Sequence, residues 1–143
     1  MGAPGYPGWM ETVSERIEIE IAAAAPGVPL VRHALRGLLS GLDVPDDVVA
    51  DIALAVTEAC TNAVVHAYPD GAGTISVTAS HVGGSLTVTV RDHGCGMSAR
   101  VDTPGLGVGL PVIAAIASSV EIGTPDGGGT EMCMRFALTG GAN

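Results

Sequence analysis

Four runs of this chain alternate apolar and polar residues, and in each only one face is apolar. Ile17, Ile19 and Ile21 alternate with Glu18 and Glu20; Ile75 and Val77 oppose Thr74, Ser76 and Thr78; Leu86, Val88 and Val90 oppose Ser85, Thr87 and Thr89; Met132, Met134, Phe136 and Leu138 close the series. A period of two marks strands whose apolar side needs a cover and whose other side is wet. A doubly wound parallel sheet would need strands apolar on both faces. These runs therefore predict an α+β fold, a two-layer sandwich with a mixed, largely antiparallel sheet covered on one face by helices.

The helices that supply the cover are punctuated clearly. Pro26 and Pro29 mark the entry to one in which Leu30, Leu35, Leu38 and Leu39 form a buried stripe, ended by Gly41 and Pro45. A second runs from about Asp46, with Asp46 or Asp47 near its cap and Pro69 beyond its end. A third, short and apolar, spans Leu110 to Ile116. Gly83 and Gly84 join two strands as a hairpin, and Val120 with Ile122 add a further strand. With 143 residues, 47% of them hydrophobic, there is enough for one core. The expected organisation is a tail over residues 1–13, rich in glycine and proline, followed by a single domain over 14–139.

Charge narrows the function. The formal net charge is −9 and the chain has six arginines and no lysine. Nucleic-acid binding rests on counterion release by clustered cations, so no direct nucleic-acid partner is expected. The lack of lysine also excludes a P-loop, whose Gly-Lys-Ser/Thr ending is obligatory. No long uncharged apolar span and no secretory signal are read, which gives no membrane and a cytoplasmic protein as the expectation. Cys60, Cys95 and Cys133 lack metal-ligand spacing and read as free thiols, Cys60 and Cys133 as core residues.

Four short motifs carry the chemistry. Glu58 and Asn62 are one turn apart on the second helix, with His66 a turn further. A carboxylate beside an amide suits Mg²⁺ chemistry, because an Asn oxygen is a hard ligand and a Glu can take a proton from an attacking hydroxyl. Asp92 follows a strand in Asp-x-Gly-x-Gly, where Gly94 and Gly96 let the turn close around a planar base and the carboxylate can accept from an exocyclic amine. Gly105, Gly107 and Gly109 open the third helix, whose free N–H groups and dipole favour phosphate. A dinucleotide-binding reading of these glycines fails, since position 110 is Leu and a loop precedes them. Gly129 and Thr130 open the last strand, with Thr130 near the base. Arg100 is the cationic candidate for phosphate. Taken together the four describe a site for ATP and Mg²⁺.

With these residues assembled, the chain resembles the ATP-binding domain shared by gyrase-type ATPases and sensor histidine kinases, and within it the small bacterial anti-sigma-factor serine kinases. The motifs that carry the likeness are Glu-Ala-Cys-Thr-Asn-Ala-Val-Val-His-Ala-Tyr at Glu58 to Tyr68, Asp-His-Gly-Cys-Gly at Asp92 to Gly96, Gly-Leu-Gly-Val-Gly at Gly105 to Gly109 and Gly-Gly-Thr at Gly128 to Thr130. The resemblance implies an anti-sigma factor that holds a sigma factor and phosphorylates a Ser/Thr of a small anti-sigma-factor antagonist protein. In that scheme Glu58 is the catalytic base, Asn62 holds Mg²⁺ and Asp92 reads adenine; related proteins imply a homodimer. Family members often carry an arginine in the lid-to-helix glycine motif, where this chain has Val108. That departure keeps an alternative in view, an ATP-dependent binding module that captures a partner without phosphoryl transfer.

Overall fold

The computed structural model describes residues 13–66, 73–94, 110–125 and 128–138. Five strands and three α-helices follow in the order β1 (Val13–Ala22), α1 (Val28–Ser40), α2 (Asp46–His66), β2 (Thr74–Val82), β3 (Ser85–Asp92), α3 (Leu110–Ile116), β4 (Ser119–Gly123) and β5 (Thr130–Ala137). The sheet order is β1-β2-β3-β5-β4, and each of the four pairings is antiparallel. Strands β3 and β4 run the same way but are not neighbours. The chain leaves β3, crosses through α3 to β4, and β5 then returns between them.

Alternation decides which face is covered. Ile75, Val77, Leu86, Val88, Val90, Met132, Met134 and Phe136 point to one side and are buried, and α1 and α2 pack over that side. The other face carries Ser76, Thr78, Thr89, Arg91 and Glu131, all half-buried, and no described helix packs over it. Edge strand β1 shows Arg16, Glu18 and Glu20 to solvent, charges that discourage pairing with a further strand. At the hairpin, Gly83 takes φ 58°, which a residue with a Cβ adopts at a cost.

Two expectations about the core change. On α1 the buried stripe is Val28, Val31, Leu35, Leu38 and Leu39, whereas Leu30 is 59% exposed. Position 30 lies five residues from Leu35, about 140° around the helix, so it cannot share that stripe. Cys133 is not a core thiol either. It sits between inward-facing Met132 and Met134, and the same alternation turns it to the open face, where it is half-buried.

Helix α2 is long and apolar enough by composition to cross a membrane, with a mean hydropathy of 1.6 over Asp46–Val65. Its apolarity has another account, because Ile52, Ala55, Val56, Ala59, Cys60 and Ala63 are the layer that covers the sheet. Their small size lets the helix lie close to the strands.

Burial pushes the Cys60 thiol up from 9.0 to about 12, because the thiolate would lose its hydration there. The folded state holds this proton more tightly than the unfolded one, so the related stability is complete below pH 9 and is lost as pH rises toward 12. The expected slope is roughly 1.4 kcal/mol per pH unit within that window. Urea denaturation at pH 8, 10 and 11 checks it, and Cys60→Ala should remove the Cys60 part of the slope.

Candidate functional site

Helix α2 and the ends of β3 and β5 position the site. Asp92 is the last residue of β3 and continues the inward row of Leu86, Val88 and Val90, which places a carboxylate under the helix layer at 5% exposure. Its Oδ1 accepts two backbone N–H bonds, from Gly94 at 2.9 Å within its own turn and from Thr130 at 3.2 Å on the neighbouring strand. Both bonds go to one oxygen. The carboxylate is thereby fixed in direction, while Oδ2 takes part in neither bond and can accept from a ligand.

The bond to Thr130 requires β5 to begin close against the end of β3, and Gly129 makes that approach possible. Gly129 has φ 87°, and a Cβ there would lie 2.8 Å from the Asp92 carbonyl carbon and from His93 Cα, with the Asp92 carbonyl oxygen nearer still. Only glycine fits. Gly128 shares the conformation, with φ 89°, but faces open space. Thr130 is itself buried. Asp92, Gly94 and Thr130 thus form one bonded unit, with Gly129 packed against its backbone. The sequence places Gly129 at the opening of β5, but a run of adjacent glycines does not say which one is packed.

On the helix side, Asn62 is 8% exposed and its Nδ2 has no hydrogen-bond partner. A buried polar atom left unpaired costs about 1–3 kcal/mol. A bound ligand that supplies the partner removes the cost. Glu58, one turn earlier, is half-buried, so the same side of α2 presents an amide inside and a carboxylate at the margin.

These residues fit an adenine nucleotide with its metal. Asn62 offers one hard oxygen, and Mg²⁺ characteristically takes one or two protein oxygens beside phosphate oxygens and water. Among the described residues no group of three or more His, Cys, Asp or Glu could hold a metal by itself. Gly96, Arg100, Gly105, Gly107 and Gly109 lie outside the described residues; α3 begins at Leu110, directly after the last of these glycines.

Comparison with known proteins decides the family. Residues 21–136 match the model of the histidine kinase-like ATPase domain. The chain belongs to that family. It is similar to the anti-sigma F factor of Clostridium acetobutylicum, 26% identical over 139 residues that cover 88% of this chain and 97% of that protein. It is also similar to the serine-protein kinase RsbW of Bacillus thuringiensis, 34% identical over 80 residues, 56% of this chain and 50% of the kinase. Among solved structures it superposes on the RsbU and RsbW domains of Rv1364c from Mycobacterium tuberculosis with a TM-score of 0.69 and 28% identity, covering 87% of this chain and 33% of the other. It thus spans nearly the whole anti-sigma F factor but about half the length of the RsbW kinase.

Proposed function

We propose that this protein is an ATP-dependent anti-sigma factor of the cytoplasm that sequesters a sigma factor and phosphorylates a Ser/Thr of an antagonist protein. The observation that carries the reading is the Asp92 carboxylate, clamped by the N–H groups of Gly94 and Thr130 on the layer that α2 covers with Asn62. A carboxylate so held suits the exocyclic amine of adenine. Asn62 would hold Mg²⁺ through its amide oxygen, and the ion, when bound, neutralises charge on the phosphates. The glycines from Gly105 to Gly109, Gly96 and Arg100 would meet the phosphates and the base edge.

Glu58 separates a kinase from a module that only binds. Its carboxylate stands one turn from Asn62 and is reachable from solvent, so it can accept the proton of a partner's hydroxyl as that oxygen bonds to the γ-phosphorus and ADP leaves. The names of the relatives, an anti-sigma factor and a serine-protein kinase, support the same pairing of roles. Val108, where an arginine is common, is the feature that favours capture without transfer.

The surface suits protein partners. Helix α1 exposes Arg32, His33 and Arg36 and contains no acidic residue, a local positive face on a chain of net charge −9. Complementary charge of this kind steers an acidic protein surface onto one side of the molecule.

Nucleotide selectivity tests the reading. Guanine would set its carbonyl oxygen against the Asp92 carboxylate, acceptor facing acceptor, so ATP and ADP should bind with Mg²⁺ and GTP should bind roughly 10²-fold more weakly or worse. Titration calorimetry on the wild type gives both affinities. Equal affinities, or no heat of binding with ATP, would remove the adenine assignment.

A further inference from the structure

Where the first turns of α2, the end of α3 and the end of β5 meet lies a hollow that the nucleotide reading leaves unused. Its volume is about 280 Å³. Buried Ile52 and Phe136 form its floor, half-buried Val48 and Ile116 its walls, and exposed Asp47 and Asp51 stand on its rim. The hollow therefore combines an apolar base with negative charge at the mouth. That is the shape of a receptor for a side chain with an aliphatic stem and a cationic head.

Among the described residues none supplies that head. There is no lysine. Of the described arginines, Arg16, Arg91 and Arg135 belong to the open face of the sheet and Arg32 and Arg36 to the exposed side of α1. Neither aspartate is in an ion pair with another described residue. Two like charges a turn apart are mildly unfavourable on a helix. An incoming cation would relieve that.

Position along α2 connects the hollow to the chemistry. Steps of four and three residues from Asp47 run through Asp51, Leu54, Glu58 and Thr61 to Val65, one continuous stripe of the helix. Leu54 is 46% and Val65 56% exposed, so the candidate base lies between two apolar contacts with the acidic hollow beyond the first. Asp51 is about 10 Å and Asp47 about 16 Å along the axis from Glu58, at roughly 1.5 Å per residue. An extended segment spans that distance in roughly three to five residues.

We propose that this hollow is a docking subsite for the protein substrate, taking an arginine or lysine that lies three to five residues from the phosphorylated hydroxyl, with an apolar residue between them resting on Leu54. The identification of the partner as a substrate rests on the kinase reading; the basic and apolar chemistry of the segment rests on the hollow alone. Charge complementarity selects the occupant, since an acidic or uncharged segment would leave Asp47 and Asp51 repelled or unpaired.

The probes are two sets of synthetic nonapeptides with a serine, a leucine two residues from it and either arginine or glutamate four residues from it, each made in both chain directions. They are titrated into the full chain, with methyl NMR signals of Val48, Ile52 and Ile116 as the readout. Arginine peptides should shift these methyls and glutamate peptides should not. The double variant Asp47→Asn, Asp51→Asn should weaken arginine-peptide binding about three- to tenfold, and Glu20→Gln, an exposed carboxylate on edge strand β1, should leave it unchanged. Equal response to both peptide sets, or wild-type affinity in the double variant, overturns the subsite. Methyl shifts from arginine peptides without phosphorylation of any serine keep the subsite and count against phosphoryl transfer, whereas equal phosphorylation of both sets keeps transfer and overturns the subsite.

Discussion

Gly129→Ala should destabilise the protein by about 3 kcal/mol or more and take nucleotide binding with it. Two costs add. A residue with a Cβ pays about 1–2 kcal/mol to hold the left-handed conformation that Gly129 adopts at φ 87°. The new methyl also meets the backbone of Asp92 and His93, with two atoms at 2.8 Å and the Asp92 carbonyl oxygen nearer, and overpacking against backbone costs a further 1–3 kcal/mol or so because it cannot rotate away. Relief comes only if β5 starts further from β3, which breaks the bond from Thr130 N–H to Asp92 Oδ1. Gly128→Ala is the control. It shares the conformation but opens onto space, so it should lose only the first cost and keep ATP affinity. Urea denaturation and calorimetry on both variants separate the terms, and equal losses would show that contact with Asp92 is not the cause.

Much of this arrangement follows from local pattern. The alternation of Leu86, Val88 and Val90 carries directly to Asp92, which the strand turns to the same covered side. The start of α3 after Gly109, and the start of α2 at Asp46, follow from Gly, Pro and Asp punctuation. Where the reading of α1 chose leucines, the helix chose an angle: Val28 and Val31 share the side of Leu35, and Leu30 does not. Apolar identity is a weaker guide than spacing when every candidate is aliphatic.

The strand order is another matter. Placing β5 between β3 and β4 depends on pairings such as Val90 with Met132 and Ile122 with Met132, and beyond the β2–β3 hairpin no local pattern encodes which of several one-faced strands lies beside which. The same non-local fact makes the site. Asp92 and Thr130 are separated by 38 positions, and only the β3–β5 register brings the amide to the carboxylate. The motifs named the residues, and the strand order supplied their contacts. The acidic hollow was illegible for a like reason, since Ile52, Ile116 and Phe136 come from three elements.

Glu58→Ala should slow phosphoryl transfer to a partner serine or threonine by roughly 10²- to 10⁴-fold, the usual worth of a general base, while ATP affinity stays within about threefold of the wild type. The separation follows from where the two α2 residues stand. Glu58 is half-buried at the margin, next to exposed Leu54 and Thr61, open to a partner's hydroxyl; Asn62 is buried with an unpaired Nδ2. Losing the carboxylate removes an interaction made with the reacting hydroxyl and spares those made with ATP, so kcat falls and the nucleotide KM does not rise. Asn62→Ala should show the reverse order, weaker Mg²⁺-dependent nucleotide binding first and slower transfer as its consequence. Radiolabel transfer to a purified antagonist, measured beside calorimetric affinity for both variants, distinguishes them. Full transfer activity in Glu58→Ala would sink the base assignment, and no transfer by the wild type beside stable ATP-dependent capture of the antagonist would make Val108 the residue to change, with recovery of transfer in Val108→Arg as the decisive result.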